Sequence, residues 1–161
     1  MSSLIPNTEK VARILAKDWI VNGEILHIAF TLREKETYIS VNRPSVESYD
    51  SDVKNFVETH PDFYADDSKT KYSRALLNVG DIRATKVSFS GITLNINVEV
   101  EPRDVFTKSH AGIFTRHGNQ NIKTGDTLYI KSLDTELSAD EVLLEVRSRL
   151  IDFAKLEYCG L

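Results

Sequence analysis

TKVSFSGITLNINVEV, residues Thr85 to Val100, is the stretch from which the architecture follows. From Ile92 onward the apolar side chains of Ile92, Leu94, Ile96, Val98 and Val100 take every second position, with Thr93, Asn95, Asn97 and Glu99 between them. Only an extended strand sends such a series to two opposite faces. Val87 and Phe89 alternate in the same way with Lys86, Ser88 and Ser90, and Ser90-Gly91 supplies a turn that tolerates positive φ. The reading is a β-hairpin with one apolar and one polar face. A two-stranded ribbon is marginal alone in water, so its apolar face requires a covering layer.

The C-terminal segment supplies a cover. Ser138-Ala-Asp-Glu141 has the spacing of a capping box, and Leu143, Val146, Leu150 and Phe153 then recur at intervals of three and four. Glu145 and Arg149 form an outward pair one turn apart. Burying the four apolar side chains contributes about 1.5 to 3 kcal/mol each before the entropic cost of ordering them.

Working outward, Asn7 reads as the cap of a first helix carrying Val11, Ile14, Leu15 and Trp19, broken by Asn22-Gly23. HIAFTLR (27–33) and TYISVNR (37–43) alternate as two strands joined by the charged turn Glu34-Lys35-Glu36. After Pro44, the segment from Ser45 reads as a short amphipathic helix with Val53, Phe56 and Val57, stopping before His60-Pro61. Asp62 to Thr70 reads as an acidic surface loop, and Tyr72 to Val79 as a helical turn closed by Gly80. The segment after Pro102 is irregular, with short strands at His110 to Phe114 and Thr127 to Ile130 and a turn at His117 to Asn121. No repeat or long linker divides the chain. The expectation is one α+β domain over residues 1–161, a mainly antiparallel sheet packed against N- and C-terminal helices.

Composition narrows the function. A chain of 161 residues with 41% hydrophobic content can bury a core without disulfide or metal. Twenty basic residues against 24 acidic ones leave a net charge of −4, which disfavours nucleic acid and anionic membranes as partners. The N-terminus lacks the pattern of a secretory signal, and no apolar run approaches the roughly 20 residues of a membrane span. With a single cysteine, Cys159, the expectation is a soluble protein of the reducing cytoplasm.

Several site chemistries are excluded by spacing. No Gly-rich loop ends in Gly-Lys-Ser/Thr and no Gly-x-Gly-x-x-Gly occurs, so no nucleotide-phosphate cradle is written in the chain. Asp50-Ser-Asp52 starts like a calcium loop, yet Asn55 and Pro61 stand where Gly and Glu are needed. The four histidines and one cysteine are scattered, so neither a metal nor another cofactor is expected. His27 and His110 lack the Thr or Ser two places on that a two-histidine phosphoesterase uses. Cys159, near the chain end, reads as a small half-buried hydrophobe rather than a nucleophile.

What remains is a polar set: Arg33, Ser40, Asn42 and Arg43 around the first strand pair, and His110, Arg116 and His117 after the central hairpin. Guanidinium groups with an imidazole suit an anionic ligand, because Arg pairs bidentately with carboxylate or phosphate and His exchanges a proton near neutrality. Phe63, Tyr64 and Tyr72 beside acidic residues read first as core filling, next as protein contact and last as base stacking.

AFTLREKETYISVNR and SHAGI resemble a pattern found in small uncharacterised bacterial proteins: Phe-x-Leu-Arg, then Ile-Ser-Val-Asn, then Ser-His-Ala-x-Ile. The resemblance spans Asp18 to Ile113 and singles out Phe30, Arg33, Ser40, Val41, His110 and Ala111. It implies no activity. Two functions remain from different classes. The first is a non-catalytic binding or accessory module holding a protein partner. The alternative is a small enzyme on an anionic or nucleotide-like substrate, with His110 as acid/base and Arg33 and Arg116 as anion holders. Oligomeric state is left open by the sequence.

Overall fold

Alternation of residues across a seven-stranded antiparallel sheet organises the molecule, seen here in a computed structural model that describes residues 4–103 and 107–161. The α+β class and the mainly antiparallel sheet are as the sequence leads one to expect. Individual elements differ. The segment expected to form the first helix is instead strand β1 (Lys10–Leu15), followed by a single 3-10 turn at Lys17–Trp19 and a small ribbon, β2 (Ile20–Val21) with β3 (Glu24–Ile25). His27–Phe30 is a 3-10 turn, not a strand; only the second of the two expected strands forms, as β4 (Tyr38–Asn42). Helix α1 (Tyr49–Thr59) stands where expected, and α2 (Pro61–Tyr64) replaces the start of the acidic loop. Strand β5 (Lys71–Asn78) replaces the expected helical turn and runs into α3 (Val79–Arg83), so Gly80 lies inside a helix instead of closing one.

The central hairpin tip is present as β6 (Ser88–Phe89) and β7 (Ile92–Thr93), turning through Ser90 at φ 52° and Gly91 at φ 75°. Two successive positive φ values match the twist of a tight hairpin. This tip pairs only with itself; the chain enters the main sheet at β8 (Ile96–Pro102). Strand β9 (His110–His117) extends beyond the expected short strand, and β10 (Gln120–Asn121) returns against its end. Of the irregular segment after Pro102, residues 104–106 lie outside the described residues. A ribbon of β11 (Thr127–Ile130) and β12 (Thr135–Ser138) leads into α4 (Ala139–Phe153), and β13 (Lys155–Gly160) closes the sheet. Cys159 therefore sits half-buried in a strand paired with β5, not in a frayed end.

β8 pairs with one edge of β9 and β4 with the other; β1, β5 and β13 follow in that order beyond β4. One face carries Val11, Leu15, Ile39, Val41, Ala75, Leu77, Ile96, Val98, Val100, Ala111 and Ile113, which pack with Val142, Val146 and Leu150 of α4 and Val79 and Ile82 of α3 in one core. The inward stripe of α4 differs from expectation, since Val142 is buried while Phe153 is 37% exposed. On the opposite face α1 covers β1, β5 and the Cys159 end of β13, packing Tyr49, Val53 and Val57 on Ala12, Ile14 and Tyr72. The remainder of that face, formed by β4, β9 and β8, bears no described helix. No helix among the described residues is long and apolar enough to cross a membrane.

Candidate functional site

Polar residues on β4 and β9 meet on the half of the second face that α1 leaves uncovered. Register places Asn42 opposite His110 and Ser40 opposite Gly112. Because Ile39, Val41, Ala111 and Ile113 are drawn into the core, Tyr38, Ser40, Asn42 and His110 are turned outward. They line a cavity of about 330 Å³ whose walls are Ile14 and Arg13 from β1, Asp52 and Phe56 from α1, Tyr64 from α2, and Thr107.

Arg13 reaches this cavity through a gap in the sheet. β1 and β4 pair only at Ala12 and Asn42, and beyond that point the Arg13 guanidinium bridges the strands. Its Nε donates to the Ala29 carbonyl at 3.0 Å and its Nη1 to the Ser40 carbonyl at 2.9 Å. The guanidinium also lies 5.2 Å over the ring of Trp19. No described carboxylate pairs with it, and burial pushes its pKa down to about 10.

One end of the cavity is a closed hydrogen-bond relay. Asn42 Nδ2 donates to the fully buried Ser109 Oγ at 3.0 Å, and Ser109 Oγ donates to Asp52 at 2.6 Å. Asp52 also accepts from the Ser48 hydroxyl and the Ser109 amide. Burial raises the Asp52 pKa, but these donors outweigh it and hold the carboxyl below its ordinary value. Ser109 is thus a buried link and not a poised nucleophile.

An aromatic and cationic ladder runs along the outer face of β9. The Tyr38 ring lies 6.1 Å from His110 and 5.2 Å from Phe114. Arg103 stacks 4.9 Å over Tyr38, and Arg116 stacks 4.7 Å over Phe114. Gly112 makes this possible, because a Cβ there would stand 2.7 Å from Tyr38 Cδ2 and 3.0 Å from Phe114 Cε2. His110 Nδ1 lies 3.2 Å from the Arg103 carbonyl; a proton on Nδ1 directed there leaves the lone pair on Nε2. Burial lowers the His110 pKa, and the Arg103 charge adds to that.

Of the residues singled out by the sequence, Ser40, Asn42 and His110 share this cavity. Arg33 does not. It lines a second, wider groove of about 840 Å³ with Trp19, Leu26, Ile28, His60 and Phe63, and Tyr64 is the wall common to both. Arg116 is held at the far end of β9 by Glu101, at 2.7 and 2.8 Å, and by Asn121. His117 pairs in register with Gln120 and Ile96 at that same end. Arg43 is bound on both sides of its fork by Glu9. Among the described residues no cluster of His, Cys, Asp and Glu is arranged to hold a metal.

Sequence reading missed Arg13, Tyr38, Asp52, Arg103 and Ser109, and it named Tyr64 only as an aromatic beside the acidic loop. Arg13 carried a usable signal, being the one charge inside the apolar run Val11 to Ala16. No family model matches the chain, and no curated protein or solved structure does either.

Proposed function

We propose that this chain is a non-catalytic binding module that holds a protein partner in the groove beside Tyr64. The supporting observation is exposure: Ile28 and Phe63 are 55% and 60% exposed, with Leu26, Trp19 and Tyr64 completing an apolar trough. Contiguous exposed apolar surface of this kind marks contact sites in proteins that otherwise bury such groups. Arg33 lies in the same trough, exposed, and forms no ion pair with a described carboxylate. The partner is therefore a short apolar segment that carries an acidic side chain for Arg33. Catalysis has less support. Arg33 lies outside the His110 cavity, and Ser109 Oγ is committed to Asp52, so neither is placed to work with His110 as the enzymatic reading requires. One observation still favours the enzymatic alternative, that of His110 as acid/base: its ring is biased to the neutral form beside an arginine. Net charge of −4 argues against nucleic acid, and a single cysteine fits a bacterial cytoplasm.

Capture from the native host, read by crosslinking and mass spectrometry, tests the partner. The wild type and the remote surface variant Tyr129→Asp are expected to retain the same protein, and Phe63→Asp and Ile28→Asp to lose it. Capture that ignores both groove variants, or that returns this chain alone, overturns the proposal.

A further inference from the structure

The cavity on the other side of Tyr64 has its own unmet demand for charge. Arg13 is desolvated between strands, and the two acceptors it holds are carbonyl oxygens, which carry no full negative charge. Its Nη2 donates to no described residue. A half-buried guanidinium held only by neutral carbonyls leaves its charge poorly balanced, and an arriving anion improves that balance. Tyr38, Ser40 and Tyr64 line the same cavity, and their hydroxyls hydrogen-bond to no described residue, so each has an O–H to offer. Asp52 is the only carboxylate among the described lining residues, and its hydrogen bonds to Ser109 and Ser48 commit it to the protein. Arg103 adds a second cation above Tyr38, and its Nε is buried with no hydrogen-bond partner among the described residues.

The walls of the cavity are flat. The rings of Phe56 and Tyr64, their centroids 4.7 Å apart, and the ring of Tyr38 all line it. We infer that this cavity is a separate small-ligand site that takes a planar ring bearing an oxyanion, a phosphate monoester or a carboxylate. Its volume of about 330 Å³ sits at the small end of ligand pockets, in the range of a mononucleotide or an aromatic acid. The oxyanion faces Arg13 and the hydroxyls, and the ring lies against Tyr38 and the Phe56–Tyr64 pair. This site goes beyond the partner groove and does not depend on it.

Trp19, the only tryptophan, reports on Arg13 directly, since the guanidinium lies over its ring. Emission is followed while adenosine monophosphate, benzoate, adenosine and inorganic phosphate are added in turn at low salt. The ring-bearing anions are expected to give saturable changes with Kd at or below about 1 mM, and adenosine and inorganic phosphate to bind at least roughly tenfold more weakly. Adenosine monophosphate and benzoate together separate the two sources of the oxyanion. Arg13→Met risks the fold because it frees two carbonyls. Ser40→Asp is the cleaner variant, because Arg13 is held by the Ser40 backbone and the new carboxylate stands in the cavity. It is expected to weaken binding at least roughly tenfold with an unchanged melting transition, whereas Phe63→Asp in the groove leaves binding intact. Failure of both ring-bearing anions to saturate, adenosine binding as tightly as its monophosphate, or a response that survives Ser40→Asp but not Phe63→Asp overturns the inference.

Discussion

Burial of the His110 ring on β9 disfavours its cation; the Arg103 carbonyl favours it, and the Arg103 guanidinium opposes it again. The net shift is downward, which fixes the sign of a pH dependence. Above the ordinary histidine pKa of about 6.5 the ring is neutral folded or unfolded, and it contributes no slope. As pH falls below that value the unfolded chain takes up a proton that the folded site resists, so stability declines until the lower folded pKa is passed. The carboxyls of Asp52, Glu9 and Glu101 are held below their usual values, so their losses come only in stronger acid. Urea midpoints taken between about pH 7 and 5 are therefore expected to fall more steeply for the wild type than for His110→Gln. Equal slopes would show that His110 is not held in its neutral form.

At the scale of elements, the legible ones are those with a single way to be buried. β4 and β8 each have one apolar and one wet face, so their alternation is visible in Tyr38 to Asn42 and Ile96 to Val100. β1 and β5 lie in the middle of the sheet under a helix on each side. Val11 and Leu15 enter one core and Ala12 and Ile14 the other, and this continuous run fits helical spacing equally well. The site divides along the same line. Ser40, Asn42 and His110 follow from local alternation, but Arg13 and Asp52 join them only because β1 and α1 are brought beside β4 by distant pairings. The start of α4 was legible from Ser138, with one change: Ser138 Oγ accepts from the Asp140 amide at 3.1 Å, and Asp140 in turn accepts from Gly125. Ser138→Ala is expected to cost about 0.5 to 2 kcal/mol in thermal or urea denaturation. A loss no larger than for the exposed Glu141→Ala would show that the cap carries no weight.

The two faces of the sheet are unequal, and the site rests on the weaker one. Among the described residues the α4 face gathers 27 buried residues into one cluster, and the α1 face gathers seven. Since buried apolar contact sets how much free energy a segment needs to open locally, α1 is the helix most easily released from the sheet. Its release takes Asp52 away from Ser109 and Phe56 from Tyr64, dismantling a wall of the cavity while the larger core stays closed. Native-state hydrogen exchange measures this directly. Amides of α1 are expected to exchange through a local opening well below the global unfolding free energy, and those of β9 and the middle of α4 only through global unfolding. Val53→Ala trims the smaller cluster at a fully packed position, so it is expected to quicken exchange in α1 more than in β9. Uniform protection of α1 and β9, shifted equally by Val53→Ala, would show that the two faces unfold as one unit and that the cavity wall cannot part from the sheet on its own.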